Sequence, residues 1–343
     1  MMVKIKNYLK KIETYFNPKV ISIEDLKYLN ELLKSNLPLK SCIALIQTDS
    51  NSKVFQEIIK RLDKGELIEK IIKDYLNKDI GMYMSNLLKN LSFSNSLELA
   101  LSFYDKNKEN MKFLEKSIAY PIILLFISLS ALFLFDNYGL DSILNLMKSF
   151  NSDITTYSLV RVIMRFMVYA FYILFIIISL IILIFIKPKR ITMFYLLMNK
   201  YLPNNFLKIY YTEEFVSLLV ITLKLGYKTK DALTILKSLI NKPLVSFMAY
   251  HLDDYLLEGA SLKEASKQKY YDETFSKFVN IASYTTNFVK ILENYIELAK
   301  SKIRNKMKLY TTILQLSSYV VIGLVIVFIY QILFLPMQAI TSF

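Results

Sequence analysis

The chain has no tryptophan, and its 343 residues include only one cysteine, one histidine, six glycines and seven prolines. A lone Cys42 excludes an internal disulfide. With His251 as its sole possible companion, Cys42 also cannot build a zinc site of the usual Cys/His kind. No GxxxxGK[ST] loop is present, so any energy from ATP must come through a partner. The N-terminus MMVKIKNYLKKIETYF is charged throughout and has neither an apolar core nor a small-residue cleavage site, so no signal peptide is expected. With so few helix breakers, a helical chain is predicted.

What is abundant is apolar and basic. Hydrophobic residues make up 54% and the mean hydropathy is +0.34, too high for a chain wholly in water. Three runs are long enough to cross a bilayer, whose core takes about 20 helical residues. They are 118–135 (IAYPIILLFISLSALFLF), 166–186 (FMVYAFYILFIIISLIILIFI) and 313–335. Lys112 and Lys116 precede the first, Lys187, Lys189 and Arg190 follow the second, and Arg304, Lys306 and Lys308 precede the third. The segment 136–158 instead has three acids and a single Lys148. The positive-inside bias therefore puts both large polar regions in the cytoplasm and 136–161 and the tail 336–343 outside. Tyr120, Tyr157, Tyr169, Tyr310 and Tyr330 would supply the interfacial belt, and Arg161 and Arg165 would snorkel to the outer interface.

The expected organisation is all-α and polytopic. A cytoplasmic helical domain at 1–117 leads into a crossing at 118–135, the outer loop 136–161 and a second crossing at 162–186. A second cytoplasmic helical domain follows at 187–310, then a third crossing at 311–335. The two cytoplasmic domains read as copies of one bundle. LKLGYKTKDAL at 223–233 restates LKSNLPLKSCI at 33–43. Ser22 opens a capping box ahead of Leu26 and Leu29, and that helix is expected to end at Asn36. Thr212 is the expected cap of the matching helix, with Gly226 as its stop. Gly65 and Gly259 are the next matched stops, and Asn95 and Asn287 mark matched turns between helices. The middle crossing returns the chain so that both copies face one compartment.

In this order, these features resemble the inner-membrane platform protein of type II secretion and type IV pilus machines, including the competence pseudopilus. Ala119, Tyr120 and Pro121 opening the first crossing, and Leu335, Pro336 and Met337 after the third, are similar to that family's motifs. The family's Gly-Glu-x-Ser/Thr-Gly turn reads LSFSN at 91–95 and SYTTN at 283–287, so its acidic residue is absent from both copies. The resemblance implies a non-enzymatic protein without cofactor, lodged in the plasma membrane and surrounded by lipid. It implies contact with a cytoplasmic hexameric ATPase, handling of pilin or pseudopilin subunits, self-assembly into a homo-oligomer and no direct binding of nucleic acid. The short N-terminal region tilts toward the competence type.

Other classes leave weaker traces. A transporter or channel subunit needs polar groups at mid-bilayer depth, where little stands beyond Ser128, Ser130 and Ser179. A membrane enzyme needs a cluster of His, Cys or acids at the membrane face. The adjacent acids Glu213/Glu214, Asp253/Asp254 and Asp272/Glu273 diverge on a helix and are expected to face solvent. Cys42 is expected in a core and His251 in a structural or surface role. The basic run KSKIRNKMK at 300–308 fits anionic headgroups better than DNA.

Overall fold

The computed structural model describes residues 20–35, 37–49, 51–139, 188–202 and 205–341, with isolated positions between 140 and 187. Among the described residues there are helices and turns and no strand. The all-α expectation holds. A first set comprises α1 (Ile23–Lys34), α2 (Leu39–Leu45), α3 (Ser52–Asp63), α4 (Ile68–Lys73), α5 (Lys78–Leu87) and the long α6 (Phe93–Leu134), which runs into a π-helical turn at Phe135–Gly139. After α7 (Pro188–Tyr201) comes a second set: α8 (Phe206–Lys224), α9 (Thr229–Lys237), α10 (Pro243–Leu257), α11 (Leu262–Ser266), α12 (Glu273–Ala282) and the long α13 (Phe288–Thr341).

The two sets match helix for helix, and local chemistry explains several of the boundaries. Ser22 caps α1 by accepting from the Asp25 amide at 3.0 Å. Gly65 and Gly259 stop α3 and α10 at φ +80° and +88°. In each case the following amide reaches back, Glu66 to the Arg61 carbonyl at 3.1 Å and Ala260 to Tyr255 at 3.0 Å, which satisfies helix-end carbonyls. One ion pair also recurs. Lys34 at the end of α1 meets Glu98 of α6 at 2.9 Å, and Lys224 at the end of α8 meets Glu293 of α13.

The second helix set differs from expectation at its start. Asn205, not Thr212, caps α8, its side chain accepting from the Lys208 amide at 2.7 Å. An earlier cap was available, so the helix begins two turns sooner and Thr212 lies inside it. There its hydroxyl donates to the Lys208 carbonyl at 2.7 Å and accepts from the Asp272 amide at 3.0 Å.

The chain divides into two compact units, Met1–Asn110 with Tyr195–Ala299, and Met111–Phe194 with Lys300–Phe343. The first unit holds two apolar cores. Leu26, Phe55, Ile58, Ile80, Met84 and Leu97 are buried in the first helix set, and Phe215, Leu233, Met248, Phe275, Val279 and Leu292 in the second. Aromatic packing ties the second core together, with Phe215, Tyr271, Phe275 and Tyr295 in successive ring contacts. Tyr271 places its hydroxyl on the Met248 carbonyl at 2.6 Å, so its polar end is satisfied while its ring is buried.

The second unit contains the later parts of α6 and α13. Within the runs 118–135 and 313–335 it exposes apolar side chains, Phe126, Ile127, Leu316, Ile326 and Tyr330 among them, whereas Lys112, Lys116, Arg304 and Lys308 are exposed ahead of those runs. The hydroxyls of Ser130 and Ser318 donate to the Phe126 and Leu314 carbonyls of their own helices, both at 2.9 Å. Such back-bonding satisfies a hydroxyl without water. Among the described residues no helix is long and apolar enough to cross a membrane. The runs 118–135 and 313–335 fall within α6 and α13, where part of the side-chain set is undescribed, and 166–186 falls largely outside the described residues.

Candidate functional site

The chemistry-bearing side chains of the first unit gather where α5 and α6 of the first set meet α8 and the α9–α10 connection of the second. Helix α8 explains why. Its sequence FLKIYYTEEFVSLLVITLK has no continuous polar face, and 12 of its residues are buried, Glu213 and Glu214 among them. A carboxylate cannot be left unpaired in such surroundings.

Each acid has its own lysine. The Lys106 ammonium on α6 donates to Glu213 Oε1 at 2.6 Å, and Ser217 Oγ donates to the same oxygen at 2.9 Å. Lys242, in the α9–α10 connection, donates to Glu214 Oε1 and to Asn107 Oδ1 on α6, both at 2.6 Å. Asn86 at the end of α5 adds an amide contact to Asn241 at 3.3 Å. Burial alone would lower the Lys242 pKa, but the Glu214 carboxylate and the Tyr83 phenol outweigh it and hold the ammonium above its ordinary value. Burial raises the Tyr83 phenol. Two lysines thus match two glutamates, and the joint carries no net charge.

The expectation that Glu213 and Glu214 face solvent is therefore wrong. They do diverge on their helix, but the second side that one of them reaches is covered by the first helix set. Asp253 also departs from expectation, being buried in an ion pair with Lys237. Lys106 and Lys242 had no signal in the sequence on their own. The pair of acids inside an otherwise apolar helix was the available signal.

The expected corner residues take these positions. Gly226 follows α8 at φ +88°, with its amide on the Leu223 carbonyl at 3.0 Å. Next to it, burial raises the pKa of the Tyr227 phenol, on which the Asn95 side chain and Glu98 of α6 also act. Asn36 lies outside the described residues, and α1 ends with the Ser35 amide on the Leu32 and Leu33 carbonyls. Asn95 stands inside the first turn of α6, where Ser92 precedes the helix, so the turn falls earlier than expected. Asn287 directly precedes α13 and accepts from the Ile291 amide at 3.2 Å. Ala119, Tyr120 and Pro121 lie within α6, and Leu335, Pro336 and Met337 within α13, which continues to Thr341.

Among the described residues no three His, Cys, Asp or Glu side chains gather as metal ligands. Cys42 is fully buried, and His251 packs between Phe247 and Tyr270 at ring distances of 4.4 and 4.7 Å. The site is a polar seam that joins one helix set to the other.

Residues 215–336 match the family model for type II secretion system protein F, a span that opens beside Glu214 and runs through most of α13. No curated protein matches the chain.

Proposed function

We propose that this chain, which carries a type II secretion system protein F domain at residues 215–336, is a non-catalytic membrane platform of a pilus-type or secretion machine. The observation that supports this most is the pairing of that domain with a first set of six helices in the same order, ending in a second long helix with an apolar run. A duplication accounts for the pairing, with 1–117 and 187–310 as cytoplasmic copies. The three apolar runs then serve as crossings. The apolar side chains exposed along 118–135 and 313–335, and serines that bond back to their own helices, suit lipid on the outside.

On this reading the helical copies receive motion from a hexameric ATPase, and the membrane section handles the apolar helices of pilin or pseudopilin subunits, competence being one setting. The test joins topology to partners. Single cysteines at Ser152, Ser342 or Lys267, in a Cys42→Ser background, are labelled on intact cells with an impermeant reagent, and the labelled protein is purified in detergent with its partners. Labelling at 152 and 342 but not at 267, with recovery of an ATPase and a pilin-like protein, is the expected result. Labelling at 267, or a solute carrier as the only partner, refutes it.

A further inference from the structure

The seam between the helix sets uses different faces of the two. The first set presents α5 and α6, whereas the second presents α8 and the α9–α10 connection. If the sets share one architecture, the face that the first set has spent is still open on the second, and the reverse. Exposure bears this out position by position. Phe93 opens α6 and Phe288 opens α13, so Leu97, Ala100 and Tyr104 pair with Leu292, Tyr295 and Ala299, all buried in their own cores.

The seam-facing positions diverge. Phe103 is 0% exposed but its counterpart Leu298 is 40% exposed, and Asn86 is 6% exposed but its counterpart Ile281 is 53% exposed. Lys106, also buried, corresponds to the exposed Ser301. Beside these, Tyr284 is 79% exposed. The second set therefore carries an uncovered apolar face on α12 and α13. The opposite face shows the same contrast. With Lys34 matched to Lys224, the buried Glu213, Glu214 and Leu218 of α8 correspond to Ile23, Glu24 and Tyr28 of α1, where Glu24 is exposed and Tyr28 is 66% exposed.

We propose that a second copy of this chain occupies the open face, docking its α1 and α2–α3 connection against α13 and α12 as α8 and the α9–α10 connection dock against α6 and α5 within one chain. The contact is head-to-tail. Such a contact closes into a ring of two or more chains or continues as a row, according to the rotation between neighbours. By the same correspondence Leu298 and Ser301 would face Ile23 and Tyr28 of α1, and Ile281 would face the α2–α3 connection, the counterpart of the segment that Asn86 meets within one chain, so this joint between chains is more apolar than the one within. The inference rests on the matching of the two helix sets and not on the platform reading, and either can fail without the other.

Two differently tagged full-length chains test it, both with Cys42→Ser, one carrying Ile23→Cys and the other Ser301→Cys, the counterparts of Glu213 and Lys106. After co-expression and mild oxidation in the membrane, the expected product is a disulfide-linked species carrying both tags, well above either same-variant species. Adding Leu298→Glu to the second chain should lower that product by about tenfold or more, because a carboxylate would have to be desolvated without a counter-charge. Its own thermal unfolding should stay close to that of the parent, because Leu298 is outside the core. Ile281→Lys serves as the second variant if Leu298→Glu fails to fold. Absence of the mixed species, same-variant dimers alone, or a mixed species unchanged by both substitutions overturns the proposal. So does a face whose substitution costs only the capture of a different protein, which would assign it to that partner.

Discussion

His251 is the only histidine, and its surroundings set its titration. Its ring stacks on Tyr270 at 28° and meets Phe247 edge-on, and Tyr250 closes in at 5.8 Å. Burial among these rings lowers its pKa, and Asp254 opposes the effect without cancelling it. The sign follows from linkage. A depressed folded-state pKa means the unfolded chain binds the proton more readily, so the stabilisation is present above the unfolded value of about 6.5 and is lost as pH falls through the folded value. The melting temperature of the detergent-purified protein should therefore drop on going from about pH 7 to about pH 5, and His251→Phe should lose less over the same window. Equal slopes for the two proteins would mean that the ring is not held in its neutral form by this packing. The lone histidine was visible in the sequence. Its aromatic cage was not, because Tyr270 comes from the segment between α11 and α12 and only the fold brings it to α10.

At the scale of elements, glycine and serine were the readable residues. Ser22, Gly65, Gly226 and Gly259 act within a few residues of themselves, so their role follows from local backbone chemistry. A cap as early as Asn205 was harder to read, since Thr212 is also a capping residue, and within the longer helix Thr212 instead meets the Asp272 amide while Tyr195 packs on Tyr211. Gly226 offers a clean test of the corner. No atom lies within 4 Å of where a Cβ would sit, so substitution there meets backbone strain and no clash. Gly226→Val should cost about 1–2 kcal/mol, because a β-branched residue is poorly tolerated at positive φ. Gly226→Asn should cost less, since asparagine visits that conformation and already stands at the matching position 36. Thermal unfolding of the three proteins checks the order, and a valine variant as stable as the parent would remove the left-handed corner from the account.

For the whole molecule, the unread part was the relation between the two helix sets. Periodicity reports which face of a helix is buried, but α8 is enclosed by its own set and by α6 and so loses its period, and its two glutamates look like a solvated pair when judged by spacing alone. Their partners lie far off in sequence, Lys106 on another helix set and Lys242 beyond the next helix. The consequence is measurable as a coupling. Removing one charge leaves the other buried and unpaired, so Glu213→Leu alone should cost about 3–5 kcal/mol. Lys106→Met together with Glu213→Leu removes both charges and should fall within about 1 kcal/mol of the parent or above it, since a buried ion pair often adds little over apolar side chains of similar volume. A double-mutant cycle on the full-length protein therefore predicts a coupling of at least about 2 kcal/mol. A coupling near zero would mean that water reaches both charges and that the seam does not hold the helix sets together. A large coupling beside a stable apolar double variant would show that the charges fix which faces meet rather than how tightly, as expected of a seam whose sister faces must stay open for a different neighbour.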